Sequence, residues 1–335
     1  HPQPRIPEPL WSRGLGDVYK RQVQIAESLG YEFVATGEAW GPSSIPWMTL
    51  LATHTEKIRI GTSILNVYSR TPGAIAQEFA MLDMLSGGRT VCGLGSSGHR
   101  VIEHFHGVAF DKPLQRIREY IDIINKLIAG EALEYEGKIF NMARGFHLDY
   151  ERPRDHIPMY VAAITPKSIT QTGAIADGIF PIHWPKGRFA SLKADLDAAS
   201  TDAGRKVDSV TVAPFTNVYV LGEGHDASTW QAARQPLFHY INRMGDFYWN
   251  MLASNGFESE VLESRAAWSD RNRDGAFDAL SEAMVREIQV IGTIKEVGEQ
   301  LAARSRLGAD VQMVQMPGGS PIDAGARLEA YLRSS

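Results

Sequence analysis

The stretch TVCGLGSSGHRVIEHFHG, Thr90 to Gly107, holds Gly93, Gly95 and Gly98 in the spacing G-x-G-x-x-G. Two folds use such a run differently. In a dinucleotide-binding βαβ unit the glycines turn the chain after the first strand, and an acidic residue closes the next strand about 20 residues on. Here at least two strand–helix units precede the run, and the acidic residues at that distance, Asp111 to Glu119, enter an amphipathic helix. In an α/β barrel the same glycines end a strand at the C-terminal face, where they let backbone N–H groups come close to a ligand. The context excludes the first use and points to the second, with a plain structural turn as the alternative.

The flanking sequence repeats a strand–helix rhythm. Upstream lie EFVATG and KIRIGTSIL as strands, IPWMTLLATHT as a helix, and TPGAIAQEFAMLDMLSGG as a helix opened by Thr71 and Pro72 and stopped by glycines. Downstream, Leu114, Ile117, Ile121, Ile124 and Ile128 share one helical face. LEYEGKIFNM reads as a small hairpin, and PMYVAAI, DGIFPIHW, VTVAPFTNVYVLG and ADVQMVQMP read as four further strands. Helices are expected over 166–176, 188–203 and 295–307. Alternating strands and helices predict a parallel α/β fold. Seven strands, plus a first strand missing or replaced at the N-terminus, predict a TIM-type (β/α)8 barrel. About 224–288 reads as a helical, aromatic-rich insertion near the C-terminal mouth. A sheet without its first strand would leave two open edges.

At 335 residues, 44% hydrophobic and 22% charged, the chain has the makeup of a globular enzyme; its net charge of −5 argues against nucleic acid or an anionic membrane as partner. The single cysteine, Cys92, excludes a disulfide framework. The absence of a signal pattern or a long apolar span predicts a cytoplasmic protein. HPQPRIPEPLWSRGLGDVYKRQ, residues 1–22, shows no evident periodicity, and its last six residues match one reading frame of a common transposon-end tag. It is therefore expected to be a non-native leader, with a single domain over 23–335.

Titratable and aromatic residues give further candidates. His99 and Glu103 are four apart, with His104 and His106 close by, but H-E-x-x-H is missing and no metal site is expected. His99 is a catalytic candidate near the mouth. His183 and Trp184 follow a strand and point to a substrate pocket, as does Trp40; Lys186 and Arg188 either hold a substrate anion or are ordinary helix-start charges. Phe247, Tyr248 and Trp249 either wall an apolar pocket or form the insertion's own core.

Taken together, GEAWG, GTSILNVYSRTP, DMLSGGR, GLGSSGHRVIEHFHGVAFDKPLQRIREY, EALEYEGKIF, IPMYVAAITPKSITQTGAIADG, INRMGDFYWNMLASNGF and VIGTIKEVGEQL resemble the luciferase-like monooxygenase family, in its branch using the deazaflavin coenzyme F420. The resemblance spans about Val23 to Leu332. It implies a TIM-type barrel, usually a homodimer, that binds F420 at its mouth and moves a hydride to or from a small-molecule substrate. Carried over by position, it implies a non-prolyl cis peptide at Ser63-Ile64 behind the ring, with Leu65 and Asn66 at the ring edge. It further implies that Gly95, Ser96 and Ser97 touch ring and ribityl chain, and that Ala162, Ala163, Ile164 and Thr165 lie against the cofactor. The helix opening at Pro166, with Lys167 beside it, either favours an anionic group or carries an ordinary surface lysine. Glu38 matches an acidic cofactor contact and is a second catalytic candidate. Sugar-phosphate dehydrogenase relatives carry a catalytic histidine at the next position, and here it is Ala39, which favours a reductase. Two alternatives are an FMN-dependent monooxygenase, which incorporates oxygen, and a non-catalytic binding barrel.

Overall fold

The computed structural model describes residues 11–222 and 226–315, with side chains from Lys20 onward. The expectations for residues 1–10, for 224–225 and for 316–335 lie outside the described residues.

Helix α1 (Trp11–Ser28) leads to β1 (Phe33–Thr36), α2 (Ser44–His54), β2 (Arg59–Thr62), β3 (Leu65–Asn66), α3 (Pro72–Ser86) and β4 (Thr90–Gly95). Thr71 caps α3 by accepting from the Ala74 N–H, Pro72 fills its first turn, and Gly87 ends it at φ +66°, a conformation that favours glycine. The short α4 (His99–His104) and the long α5 (Pro113–Ile128) follow. Ile117, Ile121, Ile124 and Ile128 of α5 are buried, as their spacing predicts. The expected hairpin forms from β5 (Leu133–Glu136) and β6 (Asn141–Phe146), paired antiparallel.

The chain then alternates β7 (Met159–Val161), α6 (Pro166–Ile175), β8 (Gly178–Ile179), α7 (Phe189–Asp202), β9 (Thr211–Val212) and β10 (Phe215–Val220). Five helices follow: α8 (Asp226–Arg243), α9 (Asp246–Leu252), α10 (Glu258–Ser269), α11 (Arg273–Asp278) and α12 (Glu282–Ile288). The described residues end with β11 (Val290–Gly292), α13 (Ile294–Arg306) and β12 (Met313–Gln315).

The strands make a curled parallel sheet in the order β1-β2-β4-β7-β8-β9, with β3 also on β4. From β9 the chain runs straight into β10, which pairs in parallel with β11 and β12. Backbone N–H groups of Asp310 and Val311 donate to the Val212 carbonyl, so β9, β10 and β12 continue the same curl. Inside it, Phe33, Tyr160, Phe180 and Phe215 pack ring against ring. Outside, the helices bury the larger core, which runs from Met48 to Ala309.

Three local expectations are corrected. Residues 11–22 are helical: α1 runs through Val23 without a break. Trp11, Leu15, Val18, Gln22 and Ile25 do follow helical spacing, which Gly14 and Gly16 obscured in the sequence. VTVAPFTNVYVLG is two strands rather than one, parted at Ala213-Pro214 because proline has no N–H to give the ladder. Finally, β11 was absent from the expected set. It is a three-residue strand whose N-terminal neighbour is a helix, and such a run has no alternation to reveal it.

Candidate functional site

The sheet is irregular at one point, and the site is built there. Up to Gly61↔Val91, β2 and β4 pair as an ordinary parallel ladder. At Thr62 the side chain takes over: its hydroxyl donates to the Gly93 carbonyl at 2.8 Å and accepts from the Gly93 N–H at 3.0 Å. A Cβ at Gly93 would collide with the Thr62 carbonyl, so only glycine fits this crossing. The next bond, Ser63-Ile64, is cis, as the resemblance implies. The chain rejoins β4 at Leu65↔Leu94 and Asn66↔Gly95. The intervening bulge is tied to β1 on its other side: the Ser63 N–H donates to the Thr36 carbonyl (2.7 Å), and the Glu38 N–H donates to the Ile64 carbonyl (3.2 Å).

The bulge turns Ile64 into the open end of the curl. A Cβ built on Gly95 would stand 3.0 Å from the Ile64 side chain and 3.3 Å from the Ala162 methyl. Ile64, Gly95 and Ala162 thus form a shelf with almost no relief, in the inner cluster of the sheet. Ser96 and Ser97 extend it; Ser97 adopts φ +56° and its carbonyl accepts from the Ser96 hydroxyl at 3.1 Å. Gly98 has open space around it and caps α4. The glycine run is therefore two strand glycines set by close approach plus a helix cap, not a dinucleotide turn.

Asn66 is buried, and its carboxamide oxygen accepts from the Tyr68 and Ser69 N–H groups at 3.0 and 2.8 Å. Its amide nitrogen lies 3.3 Å from His106 Nε2, so the residue braces the turn behind the shelf. Three carried-over positions are engaged away from the shelf. Ala163 is 3% exposed and joins the helix-side core, because successive strand residues point to opposite faces. Thr165 is the N-cap of α6 in a capping box with Ser168, while Ile164 is half-buried against the helix-side core. Lys167 is exposed at the start of that helix.

Glu38 is engaged rather than free. Arg70 forks onto it (Nη1–Oε2 2.7 Å, Nη2–Oε1 2.9 Å), and the Ser44 N–H donates to Oε1 at 2.8 Å. Burial alone pushes this carboxyl's pKa up; the Arg70 and Ser44 bonds more than offset it and hold the group below its ordinary range. Glu78 shares Arg70 (Nε–Oε1 3.2 Å), but its pKa is raised, because burial outweighs the guanidinium there. A carboxylate pinned in this way orients the loop over β1; it is not poised to take a proton. Arg70 escaped the sequence reading because its partner is 32 residues away.

His183 lies at the same end of the curl, beyond β8. It is 4% exposed, at φ +54°, with its ring edge-on to Tyr240 at 4.5 Å between centroids. Burial lowers its pKa to about 4, so the ring is neutral at physiological pH. Tyr240 in turn meets Tyr248 at 4.6 Å, which puts α8 and α9 over this part of the mouth. His99 is exposed beside Gly245 and edge-on to Phe110 at 6.4 Å, at the rim rather than inside. Trp40 is 59% exposed in the β1–α2 loop. Trp184 is buried in the helix-side core, and its indole N–H donates to the Arg188 carbonyl at 3.4 Å. Lys186 donates to the Arg286 carbonyl at 2.9 Å, Phe247 is exposed, and Trp249 donates to Asp246 under the Arg265 guanidinium. Among the described residues no group of three or more His, Cys, Asp or Glu side chains gathers to hold a metal, and no helix is long and apolar enough to cross a membrane.

The family model for luciferase-like monooxygenases matches residues 17–311. A provisionally named coenzyme F420-dependent oxidoreductase of Mycobacterium tuberculosis is 28% identical over 310 residues, covering 87% of this chain and 88% of its own. The 5,10-methylenetetrahydromethanopterin reductase of Archaeoglobus fulgidus is 25% identical over 306 residues, covering 90% and 88%. In structure, the coenzyme F420-dependent tetrahydromethanopterin reductase from Methanopyrus kandleri superposes with a TM-score of 0.80 at 21% identity, over 95% of both chains.

Proposed function

Because the chain belongs to the luciferase-like monooxygenase family, we propose that it is an F420-dependent oxidoreductase that reduces a small, activated organic substrate. The observation that carries this reading is the shelf: the Ser63-Ile64 bulge, Gly95 and Ala162 present a shallow apolar face at the mouth, which fits a planar tricyclic ring. The similarity over 87% of the chain to a relative named as F420-dependent supports the deazaflavin over FMN. The barrel is read as eight-stranded, with the helices from Asp226 to Ile288 as its insertion.

In this reading Ile64 backs the ring, Gly95 lets it lie flat, and Ser96 and Ser97 reach its polar edge and side chain. When bound in its reduced form, the deazaflavin supplies a hydride from C5 and is itself oxidised, while the substrate gains a proton from solvent. The chain's own residues shape and dry the site. Glu38, held ionised by Arg70, fixes the loop over β1; with Ala39 beside it in place of a histidine, no imidazole stands there to deprotonate an alcohol. That combination favours reduction over alcohol oxidation.

The test is a pair of fluorescence-quenching titrations of the full chain with F420 and with FMN. Selective F420 binding, followed by anaerobic oxidation of reduced F420 in the presence of enones or imines, is the expected outcome. Selective FMN binding with oxygen uptake would replace the reading by the monooxygenase one, and binding of neither would leave a non-catalytic barrel.

A further inference from the structure

A cavity of about 200 Å³ lies between the end of β8, the strands β10 and β12, and the helices α8 and α12. Its polar lining is His183, Asn217, Tyr240, Gln289 and Gln315, with Phe215 and Ile288 among the apolar walls. Phe215 and Asn217 are two apart on β10 and so face the same side. Two buried polar atoms here have no partner: His183 Nε2 and Gln289 Oε1. Gln289 is 1% exposed, and its amide nitrogen donates to the Ala233 carbonyl at 2.7 Å, which fixes the carboxamide. Buried polar groups are nearly always satisfied, so two orphans on residues that line one cavity mark its wall as a place to meet a polar ligand group. None of the described lining residues carries a charge. An anion placed here would lose its hydration without gaining a counter-ion, a heavy penalty.

We propose that this cavity receives the uncharged, hydrogen-bonding end of the substrate, a carbonyl, amide or imine group, and rejects carboxylated or phosphorylated ones, with His183 and Gln289 as its specificity-determining residues. The inference rests on the oxidoreductase reading for the word substrate, and on the cavity alone for its selectivity. His183 stays neutral in the working range, so its ring nitrogen offers one hydrogen bond without charge. Tyr240, packed edge-on against that ring, holds it in place.

An isosteric pair tests it: benzamide and benzoate, titrated into the full chain at pH 7.5 by ligand-observed NMR. Benzamide is expected to bind roughly tenfold or more tightly than benzoate. His183→Asn, which suits the positive φ, and Gln289→Met are each expected to weaken benzamide by about fivefold or more. F420 affinity, titrated on the same variants, is expected to stay within about twofold, because neither residue touches the shelf and well-separated sites act independently. Equal or tighter benzoate binding, no benzamide binding, or benzamide binding indifferent to both variants would overturn the proposal. Loss of F420 binding in the unaltered chain with amide selectivity intact would instead overturn the cofactor reading and leave the cavity assignment standing.

Discussion

The burial of His183 makes stability depend on pH in a way that can be worked through. Folded, the ring resists protonation down to about 4; unfolded, it takes a proton below its ordinary value of 6.5. The unfolded chain therefore binds more protons between these values, so stability is complete above about 6.5 and falls as pH drops toward about 4. At pH 5 the linkage relation gives a loss of about 2 kcal/mol relative to pH 7.5, from this one side chain. His183→Asn removes the titration and keeps a residue tolerant of the left-handed backbone. Urea unfolding followed by tryptophan fluorescence at both pH values, on both proteins, gives a difference in which the common carboxylate contributions cancel. The unaltered chain is expected to lose about 2 kcal/mol more than the variant between pH 7.5 and 5. Equal losses would mean the ring is hydrated or already paired, and would remove the neutral histidine from the account.

The remaining predictions concern the shelf and its supports. Gly93→Ala is expected to cost about 2 kcal/mol or more, since its methyl collides with the Thr62 carbonyl; Gly98→Ala, with open space around it, should cost under about 1 kcal/mol. Chemical denaturation compares the two, and equal costs would contradict the strand-crossing explanation. Arg70→Met strands the Glu38 carboxylate at 11% side-chain exposure and is expected to lower stability by about 2 kcal/mol. Pairing it with Glu38→Gln should recover part of that loss in a double-mutant cycle, and strict additivity would rule out the coupling. Gly95→Ala puts a methyl 3.0 Å from Ile64 and 3.3 Å from Ala162, so the shelf must shift by a few tenths of an ångström, and F420 binding is expected to weaken by about tenfold or more with the circular dichroism spectrum unchanged.

What the sequence made legible was whatever is local. Thr71, Pro72 and Gly87 mark both ends of α3 without reference to the rest of the molecule, and the isoleucines of α5 declare its buried face. The glycine run could be rejected as a dinucleotide turn from what precedes and follows it. Failures came where the cause is distant or the element is too short to have a period. β11 spans three residues and gains its identity only from pairing with β10, some 70 positions earlier in the chain. The resemblance carries Ala162 to Thr165 over as one cofactor-contacting segment, yet the Ala163 side chain packs into the helix-side core while Ala162 joins the inner cluster. Trp184 follows a strand end, as a pocket residue often does, but its indole N–H closes a turn at Arg188.

The same division runs through the site. The cis bond at Ser63-Ile64 falls within one contiguous motif, so the resemblance could indicate it. The Arg70 fork on Glu38 and the cavity joining His183 to Asn217, Tyr240, Gln289 and Gln315 bring together residues from across the chain. No spacing rule predicts such contacts, because the sheet order and the helical segment over the mouth create them.

The most direct test of the central claim is a crystal structure of the full chain with F420 bound. The account predicts the deazaflavin ring lying with one face on Ile64, Gly95 and Ala162 and with its other face open at C5 toward the His183 cavity. A ring bound elsewhere on the chain, or one whose reactive face is covered by the shelf, would contradict it.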